Sequence, residues 1–407
     1  MPSEGDPICL SLPAILKQHG QNTRAYYDAL RRLGGASGVF WDDDLRAWVV
    51  TGYKLCRRLL ASNELSKSRL QFDAGGLSPA LSKFSDPAQA IVNKQMIFDE
   101  SPRAAEAHCY WRQRLRARND AHLIRVLTES AEQTWQTAAE NGAADFYRTA
   151  LRPYVSRAIA WKLGLEEPER AAILPLVDAY ANFLDGKPSD HGRTGEAVVS
   201  VLLLSDFVKA RLQRLLCNGA EMVEDRDRWV ADYVLNLVAG HESTAYALGI
   251  ALIGACEHGN GLESPEAVQR LLLEALRYDS PIQLVGRVAR TELMLCPRLT
   301  IRAGDKVFLH IGAANRDPGQ FTDPDSFSIS RPQREMLSFG WGASRCVGMN
   351  LSLLEARIFL EAARRMMPKE NLRIQDVTYA HGLAGRSFDR ISVVFTSSCH
   401  GTAGFRL

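Results

Sequence analysis

The 407-residue chain lacks any apolar run near the roughly 18 residues that a membrane-spanning helix needs. Its opening, MPSEGDPICL, lacks the basic stretch and apolar segment of a secretory leader. The eight cysteines, at 9, 56, 109, 217, 256, 296, 346 and 399, include no Cys-x-x-Cys pair. That scatter argues against a zinc site or a disulfide framework, and it fits a reducing cytoplasm. Net charge is only +2, so no whole-molecule field draws the protein to nucleic acid. Internal repeats and low-complexity tracts are also missing. What remains is ordinary globular composition, 46% hydrophobic and 24% charged, in a chain long enough to enclose a cofactor.

Helical periodicity dominates from about residue 120, and strand-like pieces are short and cluster at the two ends. Residues 39–41 and 47–51 read as a hairpin, with Thr51 placed to cap a helix over Tyr53–Ala61. Residues 300–301 and 306–309 flank a turn at Gly304 and Asp305, and 391–396 is a β-branched run. The reading is a mainly helical body with a small sheet at one side. Residues 63–101 and 185–196 are polar and irregular, as lids and binding loops often are. The longest helical signal runs from 225 to 257 and loses its polar residues in the middle, so it should cross the interior. At its centre stand Ala239, Gly240, His241, Glu242, Ser243 and Thr244. A mid-helix glycine costs about 1 kcal/mol against alanine. Hydroxyls there compete for backbone bonds, and a buried acid needs a partner. Together they predict a local distortion with a purpose; the alternative is a solvent-facing kink.

The sharpest pattern is Phe339, Gly340, Trp341, Gly342, Ala343, Ser344, Arg345, Cys346, Val347, Gly348, with a helical pattern over Met349–Met366 behind it. A cysteine at a helix start meets free N–H groups and the positive end of the dipole, both of which favour thiolate. The plainer alternative is a structural cysteine in a glycine-rich turn. Glu274 and Arg277, at i,i+3, share a helix face. Asn315, Arg316, Asp317 and Pro318 follow, then Phe321, Pro324, Phe327 and Arg331. His108 and Arg112 stand at i,i+4 and can both donate to carboxylates; the alternative is a surface pair on a basic helix.

The order of these features resembles the cytochrome P-450 family in its soluble bacterial form: an acid and a hydroxyl at a helix bend, Glu-x-x-Arg, Asn-Arg-Asp-Pro, then Phe-Gly-x-Gly-x-x-x-Cys-x-Gly. The resemblance covers nearly the whole chain. It implies one mainly α domain over residues 1–407 with a small β region, where length alone suggested two or three. The implied fold is a triangular helical body with haem b between a long central helix and the cysteine loop. Cys346 would be the proximal iron ligand, Phe339 would shield the sulfur, and Gly340, Gly342 and Gly348 would shape the loop. His108, Arg112 and Arg287 match positions that contact haem propionates, and Ala239 and Gly240 match the central helix over the haem. Glu242 and Ser243, with Thr244 beside them, match the acid–alcohol pair of oxygen activation; Glu274, Arg277 and Arg331 would form a buried ion network. The implied substrate contacts include Phe84, Leu235, Asn236, Gln283, Leu284, Arg386 and Phe388. The polar Asn236, Gln283 and Arg386 suggest a polar or carboxylate-bearing metabolite, unless they face solvent or the propionates instead.

Three departures stand out. Ser243 replaces the usual threonine, Ser344 replaces the usual His or Arg that meets a propionate, and the stretch between Arg214 and Asp227 is short. The implied reaction activates O2 with two electrons and two protons and oxidises a small organic metabolite, most simply by hydroxylation, in a biosynthetic pathway. Ring formation, coupling or desaturation by the same chemistry is one alternative, and a non-catalytic module that binds a partner is another. The retained Cys346, Glu242 and Ser243 favour catalysis. The sequence ends at Leu407 with no reductase domain, so electrons are expected from NAD(P)H through a ferredoxin and its reductase. Arg57, Arg58, Arg112, Arg116 and Arg345 would form the docking surface for that partner. A carrier protein presenting the substrate is a further expected partner. The protein is otherwise expected to be a cytoplasmic monomer without nucleic-acid or membrane partners.

Overall fold

The computed structural model describes residues 11–67, 71–72, 77–116, 120–141, 144–185, 191–217, 225–259, 261–296, 299–332, 335–366 and 372–395. The first part runs α1 (Leu12–His19), α2 (Thr23–Gly34), β1 (Val39–Asp42), β2 (Ala47–Val50), α3 (Tyr53–Ala61), β3 (Leu65–Lys67), α4 (Pro79–Ser82) and α5 (Ser85–Lys94). The helical body follows as α6 (Pro102–Arg114), α7 (Ala121–Asn141), α8 (Arg152–Lys162), α9 (Glu167–Leu184), α10 (His191–Cys217), α11 (Arg226–Ala239), α12 (Glu242–His258) and α13 (Pro265–Tyr278). Then come β4 (Leu284–Ala289), β5 (Leu293–Cys296), β6 (Leu299–Ile301), β7 (Lys306–His310), α14 (Ile311–Ala314), α15 (Met349–Met366), β8 (Leu372–His381) and β9 (Arg386–Phe395). A five-residue π turn, Tyr147–Leu151, runs directly into α8. Among the described residues, no helix is long and apolar enough to cross a membrane.

Helix starts follow local chemistry. Ser264 caps α13 by accepting from Ala267 N, with Pro265 at the first helical position. Glu166 and Glu169 close a capping box on α9. The main sheet has the order β1-β2-β7-β4-β3, in which only β2 and β7 run parallel. β5 pairs with β6, and β8 with β9. The large core lies in the helical body, and a smaller one packs around the sheet and α3.

The structure corrects several expectations. The central helical signal is two helices, α11 and α12, broken at Gly240 and His241, and the 27-residue α10 is longer than either. The break is bridged by Ser243, whose hydroxyl donates to Ala239 O at 3.0 Å. A Cβ at Gly240 would lie 3.0 Å from Ile159 on α8, so α8 and the break pack too closely for a larger residue. Thr51 does not cap α3, because its hydroxyl donates to Gly38 O; Tyr53 N donates instead to Asp317 Oδ2, 2.8 Å away, from the distant Asn-Arg-Asp-Pro segment. The pieces on either side of Gly304 lie in different sheets, since β6 pairs with β5 while β7 pairs with β2 and β4. The 63–101 stretch holds β3, α4 and α5, although its residues 68–70 and 73–76 lie outside the described residues. Residues 186–190, 218–224 and Thr396, within other expectations, also lie outside them.

One buried junction ties α13 to the cysteine loop. Arg277 donates through Nε and Nη2 to both oxygens of Glu274, at 2.8 and 2.7 Å. Its Nη1 reaches Asn315 O and Pro324 O, at 3.0 and 2.9 Å. Arg331 joins Glu274 at 3.4 Å and donates to Asp323 O and Ser326 O. Asn315 extends the junction: its amide donates to Ser280 and Ser338, and its carbonyl oxygen accepts Leu337 N. Leu337 and Ser338 lead directly into the cysteine loop. Arg277→Ala should therefore lower folding stability by about 3–5 kcal/mol. Chaotrope unfolding measures this, and a loss under about 1 kcal/mol would show that the pair is not the structural centre argued here.

Candidate active site

The cysteine loop is shaped by glycine. Gly340 and Gly342 adopt φ of +69° and +71°, and a Cβ on Gly342 would press on Ala61 of α3 at 3.2 Å. Cys346 N donates to Phe339 O at 2.8 Å, which folds the loop back on itself, and Gly348 continues it into α15. Phe339 packs against the large core from this loop. The Arg57 guanidinium covers the Trp341 ring at 4.2 Å.

The Cys346 side chain has an accessible surface, yet protein atoms crowd it on every side. Both are true of a group facing an interior hollow. Burial pushes the Cys346 thiol up, while the Gly348 and Met349 amides and Arg345 pull it down. The sequence pattern identified those amides but not the confinement that outweighs them. A cation bound at the sulfur would restore the thiolate.

The helix break is the second part of the candidate site. α11 has ten consecutive buried residues from Trp229 to Val238, and then Ala239 is exposed and Gly240 and Ser243 are half-buried. Thr244 meets Ser352 of α15 at 2.8 Å, which fixes where the two helices cross. Ala239 precedes Thr244 by five residues and Cys346 precedes Ser352 by six, and both are exposed. Thr244, expected to join Ser243, is buried and its hydroxyl side faces Ser352 and Glu355 of α15. Glu355 was not singled out from the sequence. It is fully enclosed, burial pushes its carboxyl well up, and its Oε2 has no hydrogen-bond partner.

The rim carries positive charge. β3 and β4 pair with Lys67 directly opposite Arg287, a like-charge placement that is unfavourable by itself. Burial, then Arg287, lowers the Lys67 pKa, and burial lowers that of Arg287. Glu100, the acid acting on both, pairs with Arg290 at 2.8 Å. His108 lies 3.0 Å from Arg112. Burial lowers the His108 pKa, with Arg112 and Lys67 adding to it, while the Arg345 carbonyl opposes the shift. That carbonyl contact joins α6 to the cysteine loop. Among the described residues, no carboxylate lies within ion-pair range of Arg112 or Arg287. Mutually repelling cations beside an accessible thiol fit a large planar group with carboxylates on its edge, as haem has. Lys67 was missed because only the β3–β4 register places it opposite Arg287.

Glu242 is held on the other side of the break. Its Oε1 accepts from Tyr147 OH at 2.7 Å and from Ser387, and its Oε2 pairs with Arg152 at 2.9 Å. Burial alone would raise its pKa, but Arg152, Ser387, His241 and Tyr147 together hold it below the usual carboxylate range. Buried His241 is lowered to about 4, first by burial and then by Arg152.

The expected substrate contacts are mostly turned into the protein. Asn236 donates to Asp232 O, and Gln283 bonds Tyr27, Asp279 and Ser280. Arg386 pairs with Asp279 at 3.5 Å and lies over the Tyr26 ring. Its charge is neutralised within the fold, so the structure gives no support to recognition of a carboxylate there. Leu235 and Leu284 are buried, Phe388 packs on Tyr147 and Tyr246, and Phe84 is exposed beside Lys83. The polar residues misled because their partners come from distant segments. A groove of about 680 Å³ runs between α4, α9 and α10, lined chiefly by Leu77, Leu81, Pro175, Leu176, Ala179 and Val199.

Comparison with known proteins agrees with this geometry. The family profile described as Cytochrome P450 matches residues 266–363, which include the Glu-x-x-Arg helix and the cysteine loop. A cytochrome P450 designated 133B2 in Xylella fastidiosa (strain Temecula1 / ATCC 700964) is 37% identical over 385 residues, 88% of this chain and 92% of that protein. The biotin biosynthesis cytochrome P450 of Bacillus subtilis (strain 168) is 26% identical over 396 residues, 92% of this chain and 96% of that one. Among solved structures, P450BioI in complex with hexadec-9Z-enoic acid ligated acyl carrier protein superposes with a TM-score of 0.83. Its sequence identity is 23%, over 93% of this chain and 100% of that one, which is a likeness of fold. A relative 37% identical along nearly its whole length shows the family: the chain belongs to the cytochrome P450 enzymes, bacterial-type haem b oxidoreductases.

Proposed function

We propose that this enzyme hydroxylates a small, largely apolar metabolite of a biosynthetic pathway, taking electrons from a separate ferredoxin and its reductase. The observation that carries the chemistry is an accessible Cys346 thiol before α15, in a loop that meets His108 of α6, with Arg112 and Arg287 lacking a carboxylate partner among the described residues. When bound, thiolate-ligated haem supplies activation of dioxygen with two electrons and two protons. The chain's own residues do the rest. Cys346 would hold the iron, and His108, Arg112 and Arg287 would receive the propionates, with Lys67, whose ammonium donates to Met96 O and Asp99 O, adding positive charge opposite Arg287. Gly240 and Ala239 would leave room for the macrocycle, Ser243 would supply a hydroxyl and Glu242, one residue earlier, a carboxylate. The exposed Arg58, Arg112, Arg116 and Arg345 would meet an acidic electron donor.

The apolar groove supports a greasy substrate, and the absence of a free cation at Arg386 argues against a carboxylate-directed one. Relatives named for biotin and polyketide biosynthesis support a biosynthetic role. A neighbour solved with an acylated carrier protein supports an acyl chain delivered on such a carrier.

Reduced protein exposed to carbon monoxide should show a strongly red-shifted Soret band, and Cys346→Ala should abolish it. An unshifted band in the unaltered protein would overturn thiolate ligation. The rim can be tested separately. Lys67→Ala or Arg287→Ala should speed haem loss to a scavenging globin by about tenfold, as loss of one charge-assisted hydrogen bond implies. Unchanged release in both would remove these cations from the cofactor site.

A further inference from the structure

A second recess, of about 660 Å³, shares no lining residue with the cofactor, acid–alcohol or substrate sets described above. It is lined by His258 at the end of α12, Arg270 on α13 and the segment from Phe327 to Ser330. Its volume falls within the roughly 300–1,000 Å³ of sites that take small organic molecules. Two lining side chains are basic, two carry hydroxyls and two are apolar, and no acid is among the described lining residues.

Packing holds these groups in place. A Cβ at Gly254 would collide with the Phe327 ring, so that ring sits flush on α12. The His258 imidazole stacks on it, with centroids 5.3 Å apart and planes 6° from parallel. Tyr278 supports Phe327 edge-on at 5.3 Å. Ser328 is tied down through its N–H, which donates to Glu274 Oε1 at 2.9 Å, and its hydroxyl meets that of Ser330 at 3.0 Å. One of these hydroxyls donates to the other, and the accepting one keeps its own proton for a ligand.

An exposed arginine or histidine is ordinary by itself. Here both open onto one concavity, and among the described residues no carboxylate lies within ion-pair range of either. Glu266, which feels the charge of Arg270 from one turn earlier on α13, is exposed and does not line the recess. A guanidinium matches the paired oxygens of a phosphate, and the hydroxyls and imidazole add further donors. A phosphate alone would leave Phe327 and Ile329 without contact.

We propose that this recess binds a small organic phosphate monoester, its phosphate taken by Arg270, His258, Ser328 and Ser330 and its organic part laid against Phe327 and Ile329. The occupant secures the segment whose Pro324 and Ser326 carbonyl oxygens accept from Arg277, and it stabilises the fold by mass action.

The test uses AMP as the probe, with inorganic phosphate and adenosine as its two halves, on the haem-loaded, full-length enzyme. Isothermal titration calorimetry should show saturable one-to-one binding of AMP that weakens as salt rises. Inorganic phosphate should bind about tenfold more weakly, and adenosine should not displace AMP. Arg270→Ala should weaken AMP binding by about tenfold, as loss of a charge-assisted hydrogen bond implies, and Ser330→Ala should weaken it less. Ile329→Asp, which sets a carboxylate in the recess, should abolish binding. AMP should raise the thermal unfolding midpoint of the unaltered protein and leave that of Ile329→Asp unmoved. Arg270 and Ser330 are exposed, so their variants should fold, and they decide if Ile329→Asp does not. No AMP binding, or binding that Arg270→Ala and Ser330→Ala both leave unchanged, overturns the proposal. Inorganic phosphate that binds as tightly as AMP overturns the assignment to an organic ester.

Discussion

The buried junction between Glu274, Arg277 and Asn315 is what the rest of the site depends on. A guanidinium in the interior is tolerated only when every side of it is answered, and Arg277 is answered by one carboxylate and by main-chain carbonyls of a segment some forty residues on. Those carbonyls cannot be replaced by altering one side chain, so the segment around Asn315 is fixed against α13. Asn315 then holds Leu337 and Ser338, and the cysteine loop leaves from there. The position of Cys346 is thus set by a charge that would otherwise be stranded.

A second theme is incompleteness. The protein neutralises most of its buried charges within itself: Arg386 by Asp279, Arg152 by Glu242 and Asp178, Arg228 by Asp99. On β3 and β4 it does the reverse, setting Lys67 across from Arg287, and neither Arg287 nor Arg112 has a carboxylate partner among the described residues. A fold that pairs its charges elsewhere and opposes like charges here is prepared for an anionic ligand. The Cys346 thiol follows the same logic, since confinement disfavours its charged form until a cation is bound.

The helix break joins the two sides of the site. The Ser243 hydroxyl donates to Ala239 O across the break, so one side chain bridges the two helices. Glu242, one residue earlier, projects to the opposite flank, where α8, α9 and β9 converge on it. Acid and alcohol are neighbours in sequence, yet different surroundings govern them. Their separation is a property of the packing.

What could be read from the sequence was whatever depends on residues near one another. The glycines around Cys346, the Glu274–Arg277 spacing and the helix-breaking cluster at 239–244 each act within a turn or two of chain, so their chemistry is visible in the order of residues. Thr51 marks the limit: it looked like a cap, but Asp317, far along the chain, reached Tyr53 N and took that role. Gln283 and Arg386 looked free until Tyr27 and Asp279 were found against them. Lys67 gained its meaning from a strand register, and Tyr147 and Arg152 from a carboxylate some ninety residues away. Sequence by itself determined the helical class and the thiol, because local geometry and composition suffice for those, and the order of its motifs carried the resemblance to the family. The tertiary structure alone decided which charges are answered within the chain and which remain for a ligand, because pairing energy depends on distances that only the folded chain defines.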